Sequence, residues 1–489
     1  MNKSLKYLLL TASAALLAAG CAEDKTYALP EVYPSGGDTP SDVEPPHQVR
    51  ARKNKTSAWG DYPAYTVDRI QGFTPGEDPA TDKYGGWKVS SLTATGFFRT
   101  QKIGGRWWLI DPEGWPFIHK AVAVFTTGGS DRQKKALEEK FRTRAAWAAD
   151  QQEMLRRYGF NGLGAWSDVK TVRESERPMP YTVIVSPMGM YRSQHRRHFG
   201  GKYKQAGWQG YRFDLAMVFD PGFDAVIDRA VSPVAEYRDD KYLLGYFTDN
   251  ELPWVNDALD RHLTLLAHDE DAYIAVRKWY DERKGVKDAP AAEITDADRK
   301  AFQTFYFDTY MRKVTEALRK YDPNHLYLGC RFNQHHQEMA SPEIFAVAGR
   351  YMDVISINHY RLWEPDAAWM ANWEKWSGKP FIITEFYTKG EDSELPNNTG
   401  AGWNVRTQAE RGYFYQNFAL KLIESKVCVG WHWFTYQDND PENENTDPSN
   451  RDSNKGMVTW DFQYYTPLLD NMEALNGNVY QLTRFYDAQ

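Results

Sequence analysis

Two glutamates that each end an apolar run are the residues of this chain best suited to chemistry. The first run is Leu244–Glu251, LGYFTDNE, and the second is Lys379–Glu385, KPFIITE. A carboxylate is costly to bury beside such a run unless a partner or a reaction offsets the cost. Paired glutamates from distant strand ends are the usual equipment for hydrolysing a glycosidic bond, one as proton donor and one as nucleophile. The pair therefore predicts a carbohydrate-cleaving enzyme with Glu251 as acid/base and Glu385 as nucleophile, although either residue alone would also suit a helix N-cap or a surface turn.

The elements that must position this pair alternate between strand and helix. Eight apolar, strand-like runs lie at 117–125, 161–166, 181–188, 243–251, 325–332, 354–360, 380–387 and 427–434. Helical patterns lie at 134–158, 223–237, 296–321, 407–425 and 468–486. This alternation predicts an α/β fold, a (β/α)8 TIM barrel. Glu251 ends the fourth run and Glu385 the seventh, so we expect the two carboxylates to face each other at the carboxyl ends of the strands, where barrel active sites form.

Two further elements are predicted around the barrel. The segments 96–100 and 106–110 flank Lys102-Ile-Gly-Gly, a pattern typical of a β-hairpin, which we expect to cap the base of the barrel. The charged stretch 255–296 predicts a helical insertion after strand four.

Polar residues near the pair are candidates for substrate binding. The amide of Asn250, directly before the proton donor, is suited to hold the 2-hydroxyl of the sugar. His359 and Tyr360 end the sixth strand, where a tyrosine would either orient the nucleophile by hydrogen bonding or pack below the site. Arg331 ends the fifth strand and would either bind substrate or pair with an acid.

Aromatic content points to the same class of ligand. The chain has 18 Trp, 30 Tyr and 24 Phe, 15% of its residues, which is more than a core alone usually needs. Sugar rings present flat C–H faces that stack on aromatic rings. Trp431 and Trp433 share one face of the eighth strand, and Trp433, nearer the carboxyl end, is the predicted sugar platform. Trp166 and Asn161, on the second strand, complete the predicted substrate-binding set.

Other kinds of ligand are not expected. The net charge is −7 and no basic cluster is interleaved with aromatic residues, which argues against nucleic acid as a partner. His335 and His336 are adjacent, which is poor geometry for two ligands of one ion, and the HExxH and CxxC spacings of metal sites are absent. We therefore expect neither a catalytic metal nor a cofactor. The acidic run 438–447 lacks the spacing and glycine of an EF-hand, which favours a solvated loop over a calcium site.

The N-terminal residues predict a lipoprotein of the cell envelope. A short basic region, 1–6, precedes an apolar stretch, 7–19, that is too short to span a bilayer comfortably, and LAAGC at 17–21 resembles a bacterial lipobox with Cys21 as the acylated residue. The predicted boundaries are 1–20 for the signal peptide, 21–55 for a disordered tether and 56–489 for the catalytic domain. We expect membrane contact only through the lipid, at the outer membrane, with the protein either on the cell surface or in the periplasm.

Five segments of the chain resemble the β-agarases of glycoside hydrolase family 50. They are GRWWLIDPEG at 105–114, GYFTDNELPW at 245–254, TEFYTKGED at 384–392, GAGWNVRTQ at 400–408 and GWHWFTYQDND at 430–440. The resemblance implies a retaining enzyme that cuts β-1,4-galactosidic links in agarose, with Glu251 as acid/base and Glu385 as nucleophile. Many relatives carry an extra N-terminal sandwich domain, and the segment ahead of the barrel is short here, which leaves exo or endo action open.

Two alternatives to an agarase stay open. One is an exo-acting β-galactosidase or β-glycanase for another plant or algal polysaccharide, because specificity depends on loops grafted on the barrel. The other is a catalytically inactive, glycan-binding surface lipoprotein. The retention of two carboxylates that repel each other argues against the inactive form.

Overall fold

A ring of parallel strands forms the centre of the computed structural model, which describes residues 44–76, 79–195 and 211–489. Within these ranges the strands are β1 His47–Arg52, β2 Gly60–Ala64, β3 Arg99–Ile103, β4 Arg106–Ile110, β5 Pro116–Phe117, β6 His119–Ala123, β7 Gly162–Leu163, β8 Tyr181–Val185, β9 Leu243–Thr248, β10 Leu326–Tyr327, β11 Phe332–Asn333, β12 Ile355–Asn358, β13 Phe381–Phe386, β14 Thr388–Gly390, β15 Trp403–Val405 and β16 Cys428–Phe434. One parallel sheet runs in the order β10, β9, β8, β7, β6, β16, β13, β12, β11. Its strands correspond to the eight predicted runs, so the predicted (β/α)8 barrel is confirmed.

The fifth strand of the barrel is split into β10 and β11, and these two short strands close the ring by pairing with its two remaining edges. β10 pairs with β9 through Leu326 and Gly245, whereas β11 pairs with β12 through Phe332 and Ile357. The two ends of the sheet therefore belong to one short chain segment. Its backbone turns at Gly329 (φ 84°), where a side chain would meet Met352. Glycine suits this position because it adopts a positive φ without steric cost.

Helices surround the ring. They are α1 Asp131–Phe141, α2 Arg144–Arg157, α3 Val169–Arg173, α4 Pro187–His195, α5 Pro221–Val231, α6 Ala258–Leu265, α7 Asp271–Lys284, α8 Asp296–Tyr321, α9 Pro342–Tyr351, α10 Ala367–Ser377, α11 Gln408–Glu424, α12 Thr466–Asn476 and α13 Val479–Asp487. The predicted insertion after strand four is α6 and α7, and α8 has the predicted bounds. The helix predicted at 134–158 is two helices, because Arg142 adopts a φ of 70° and Thr143 caps the second one.

The predicted hairpin at the base is present as β3 and β4, with β5 as a third strand. The backbone N–H of Trp107 donates to the carbonyl of Lys426, 2.8 Å away, just before β16 begins. Arg106 is fully buried and donates to the Ile423 carbonyl (2.7 Å) and to Asp487 (3.0 Å). These contacts hold the hairpin under the amino ends of the barrel strands.

A second sheet joins the N-terminal segment to the rim of the barrel. Its order is β14, β15, β1, β2, with Ala51 opposite Val405, and Glu391 accepts from both Arg52 (2.8 Å) and Lys55 (2.9 Å). Strand β1 lies inside the predicted tether, so residues 47–52 are structured, contrary to that prediction. The partner strand comes from a distant part of the sequence, which local composition does not reveal.

The remaining N-terminal predictions, the signal peptide and Cys21, lie outside the described residues. Among the helices in the described ranges, none is both long and apolar enough to cross a bilayer.

Two aspartates share a buried position at the base. Asp82 Oδ1 accepts from the backbone of Tyr84 (2.9 Å) and Gly86 (2.8 Å), and Asp111 Oδ1 accepts from the backbone of Trp115 at 3.0 Å. The other oxygen of each carboxyl is buried without a hydrogen-bond partner. Burial raises the pKa of Asp111 to about 7, and the neighbouring Asp82 carboxylate acts in the same direction. Up to about that pH the pair therefore holds a proton in the folded protein.

This pair predicts that stability falls as the pH rises. A raised folded-state pKa means that the folded state holds the proton more tightly than the unfolded chain, so the contribution is complete below about pH 4 and is lost as the pH rises to about 7. We expect Asp111→Asn to gain about 1 kcal/mol or more relative to the unchanged protein between pH 5 and pH 8. Urea unfolding at both pH values measures this, with the exposed Asp61→Asn as control. Parallel pH dependence of Asp111→Asn and the unchanged protein would contradict it.

Candidate active site

The two predicted catalytic glutamates lie at the carboxyl ends of their strands and line one cleft. Glu251 follows β9 and Glu385 lies near the end of β13, and their exposed fractions are 7% and 6%. The cleft has a volume of about 540 Å³. Aromatic rings that line it are those of Trp166, Tyr360, Tyr387 and Phe434. A carboxylate pair in a cleft with aromatic walls suits a sugar polymer as ligand.

Two donors hold the Glu385 carboxylate. The Arg331 guanidinium forms an ion pair with Oε1, and the Tyr360 hydroxyl donates to Oε2. Burial raises the pKa of Glu385 to about 7; the Glu251 carboxylate also raises it, while Arg331 and Tyr360 oppose the shift. The ion pair with Arg331 and the hydrogen bond from Tyr360 therefore stabilise the ionised carboxylate of Glu385 against the cost of its burial.

A chain of amide hydrogen bonds joins Glu251 to the same arginine. Asn358 Nδ2 donates to Glu251 Oε1 (2.9 Å) and to Asn250 Oδ1 (3.2 Å). Arg331 Nε donates to Asn250 Oδ1 at 2.7 Å, so the Asn250 carbonyl is already engaged within the protein. Thr384 holds the other end of the Asn358 amide at 2.7 Å. Sequence reasoning missed Asn358, although its position two residues before Tyr360 places both on one face of the sixth strand.

Left-handed backbone conformations concentrate at the ends of the barrel strands. Non-glycine residues with positive φ follow strands one, two, four and six, and another lies in the split of strand five: Val124 (55°), Trp166 (59°), Glu251 (50°), Arg361 (63°) and Arg331 (54°). Each such conformation costs about 1–3 kcal/mol and persists only where the surroundings enforce it. Four of these five residues line the cleft, the exception being Arg331. The rim of the barrel is therefore strained where it forms the site.

Two predicted binding residues face the helices, not the cleft. Trp433 is fully buried with its ring 6.0 Å from that of Tyr415 on α11, and its Nε1 donates to the carbonyl of Lys455 at 2.9 Å. His359 packs against Phe418 on α11, with 5.0 Å between the rings. Both predictions placed the side chain on the wrong face of its strand.

The inward face of the eighth strand explains the error for Trp433. His432 points into the barrel, where its Nε2 lies 2.9 Å from Nδ1 of His119. Side chains alternate along a strand, so Trp431 and Trp433 must point outward. Phe434, one residue further on, lines the cleft instead.

The remaining predicted residues divide between the two ends of the barrel. Trp166 lines the cleft and packs over the Arg331 guanidinium at 4.5 Å. Asn161 precedes β7 at the amino end and bonds to the backbone of Lys120 (2.8 Å) and Ile118 (2.9 Å), so it lies at the base, contrary to the prediction.

The acidic run after strand eight is held by the protein itself. Asp438 is buried and accepts from the backbone of Lys455 (2.8 Å) and Gly456 (2.7 Å), and Asp440 pairs with Arg132 at 3.1 Å. In the described part of the chain, no group of three or more His, Cys, Asp or Glu side chains is placed to hold a metal ion.

A (β/α)8 barrel with two buried carboxylates at the ends of strands four and seven is the architecture of the barrel glycoside hydrolases. No family model matches the chain. The crystal structure of BpGH50 is 30% identical with a TM-score of 0.77, covering 90% of this chain and 96% of that one. The chain therefore belongs to glycoside hydrolase family 50, as the sequence resemblance predicted.

Further relatives carry agarase names. Beta-agarase B and Beta-agarase A of Vibrio sp. (strain JT0107) are each 26% identical, over 83% and 68% of this chain. This chain spans 50% and 36% of the length of those two proteins. A solved exo-beta-agarase, 21% identical, shares the fold with a TM-score of 0.69 over 83% of this chain and 68% of that one.

The positions of Trp433 and Phe434 predict different effects of truncation. Trp433→Ala empties a fully buried site and is expected to lower the free energy of unfolding by about 3–5 kcal/mol, whereas Phe434→Ala, at the wall of the cleft, lowers it by about 1–2 kcal/mol. Urea unfolding measures both. Equal losses, or a larger loss for Phe434→Ala, would contradict these positions of the two rings. If Trp433→Ala does not fold, Trp433→Phe takes its place in the comparison.

Proposed function

We propose that this protein is a retaining glycoside hydrolase that cleaves β-1,4-galactosidic linkages of agarose-type galactans. The observation that carries the proposal is that Glu251 and Glu385 line one cleft at the ends of strands four and seven and are joined through Asn358, Asn250 and Arg331. The two Vibrio relatives named beta-agarases support galactan as the polymer.

In the first half of the reaction, the Glu385 carboxylate attacks the anomeric carbon and Glu251 donates its proton to the leaving oxygen. The carbon–oxygen bond to the leaving sugar breaks as the bond to Glu385 forms. Arg331 and Tyr360 fix the direction of the carboxylate, since each binds a different oxygen. Asn358 fixes Glu251 in the same way through one oxygen, which leaves the other oxygen to carry the proton.

In the second half, Glu251 removes a proton from water, and the water oxygen attacks the anomeric carbon of the glycosyl-enzyme. The ester bond to Glu385 breaks, its carboxylate returns to Arg331 and Tyr360, and Glu251 is protonated again. Two inversions give a product with the configuration of the substrate.

Two other functions remain as outcomes of the tests. A β-galactosidase or β-glycanase for another plant or algal polysaccharide would use the same two glutamates, because a fold does not determine the sugar. An inactive glycan-binding protein would have no use for two buried carboxylates that three polar side chains hold in place.

Substitution of the glutamates is expected to separate their roles. Glu385→Gln and Glu251→Gln should each lower kcat on agarose at least about 10³-fold, whereas the exposed Glu236→Gln should not. With an aryl β-galactoside and azide, Glu251→Ala should give the β-azide because the glycosyl-enzyme still forms. Glu385→Ala should give the α-azide by direct displacement. Assignment of the anomers by NMR decides between the roles, and exchanged products would reverse them.

The substrate is tested by incubating the protein with agarose, sulfated galactans, plain galactans and glucans while following reducing ends and product size. One small even-numbered oligosaccharide from the outset indicates exo action, and a ladder of sizes indicates endo action. Cleavage of another polysaccharide but not agarose would retain the mechanism and replace the substrate. No cleavage of any polymer would favour the inactive glycan-binding protein.

We also propose, from the sequence alone, that Cys21 is acylated and anchors the protein in the cell envelope, at the outer membrane. Radiolabelled palmitate should enter the protein and the protein should sediment with membranes, and Cys21→Ser should abolish both. Labelling that persists in Cys21→Ser would refute this anchor.

A further inference from the structure

Two cationic side chains line the cleft without a carboxylate partner. They are Arg361 and Lys455, and within the described residues neither has an Asp or Glu oxygen within 4.0 Å of its charged nitrogens. Arg361 follows β12 and Lys455 lies in the loop after β16, and these strands flank β13 in the sheet. The two cations therefore lie in the segments that follow the two strands next to the strand of Glu385.

The Lys455 ammonium is in an unusual environment. The residue is 5% exposed, and the hydrogen bond of its Nζ goes to the neutral Oδ1 of Asn450. Nζ also lies 5.2 Å from the centre of the Phe434 ring, on the wall of the cleft. A buried ammonium without an ion-pair partner is costly, and here burial lowers its pKa to about 8, although the charges of Asp438, Asp447 and Glu385 act in the opposite direction. An anion beside Nζ would remove that cost.

The three carboxylates that act on the Lys455 charge from a distance, those of Glu385, Asp447 and Asp438, form no ion pair with its ammonium. Glu385 is engaged by Arg331 and Tyr360, and Asp447 accepts from Asn450 (2.8 Å) and Ser449. Asp438 contacts the backbone nitrogen of Lys455 and not its ammonium. The charge of Lys455 is therefore available to a ligand.

Arg361 offers a second cation, which is exposed to solvent whereas Lys455 is buried. Its side chain is exposed, it follows Tyr360 directly, and its φ of 63° places it in the left-handed region. Strain of this kind in a non-glycine residue is found where a side chain must be held in a functional position. A guanidinium also matches the planar, two-oxygen edge of a sulfate or carboxylate.

We propose that the cleft selects a galactan that carries an anionic substituent, a sulfate ester or a carboxylate, which Lys455 and Arg361 bind beside the bond to be cleaved. This inference rests on the proposed hydrolase function and narrows its substrate class, because a neutral galactan offers neither cation a counter-charge. The net charge of the protein is −7, so an anionic ligand would be attracted by these two groups and not by the protein as a whole.

The test compares one sulfated β-1,4-linked galactan oligosaccharide with its chemically desulfated form and with a carboxylated oligosaccharide of the same length. The unchanged protein should show a kcat/KM at least about tenfold higher for an anionic form than for the neutral one. Lys455→Met and Arg361→Gln should each reduce this ratio about tenfold, whereas Arg350→Gln, on α9 and paired with Asp308, should not. The sulfated and carboxylated arms tell which anion is bound.

A neutral oligosaccharide cleaved as well as both anionic forms would overturn the inference and leave the proposed hydrolase intact. If no oligosaccharide is cleaved, the hydrolase proposal fails, and calorimetric binding of the same oligosaccharides to the protein decides the inference separately. Tighter binding of an anionic form that is lost in Arg361→Gln would support it, and equal binding of all forms would refute it. Because Arg361 is exposed, this variant is expected to fold even if Lys455→Met does not.

Discussion

The ion pair of Arg331 with Glu385 is the contact on which the rest of the site depends. Arg331 is fully buried, and its guanidinium lies 4.5 Å from the ring of Trp166 and 5.1 Å from that of Phe247. The same group holds Asn250, and through Asn358 it is linked to Glu251. A buried charge removed from such a network leaves its partner uncompensated, at a cost of about 3–5 kcal/mol. One cation therefore positions both carboxylates and offsets the cost of burying them.

The barrel supports this network with strained backbone conformations at the rim that lines the cleft. Regular strands stop at the rim, and several residues there adopt left-handed conformations where the chain lines the cleft. The pleated core below is packed with the His119–His432 pair and with aliphatic and aromatic side chains, which gives the rim a rigid base. Free energy gained in the core thus maintains conformations at the rim that the isolated chain would not adopt.

Sequence reasoning predicted the barrel, its eight strands and the positions of Glu251 and Glu385, because apolar periodicity and strand ends are local signals. It failed where the outcome depended on which face of a strand turns inward, as for Trp433 and His359, because two buried faces have no polar side to distinguish them. It also failed for Asn161, at the wrong end of its strand, and for β1, whose partner β15 is remote in sequence. The hydrogen bond between Asn358 and Glu251 also joins strands that are remote in sequence, so sequence reasoning missed it.

The split fifth strand forms a seam of the ring that fewer residue pairs hold than hold β16 to β6. Two residue pairs join β10 to β9 and two join β11 to β12, and β7 is joined as sparsely, with two pairs to β6 and one to β8, whereas five join β16 to β6. Amide protons along this seam are expected to exchange with solvent earlier than those between β16 and β6, because fewer ladder bonds protect them. Arg331 lies within the seam, so local opening of the ring and disassembly of the carboxylate network are one event.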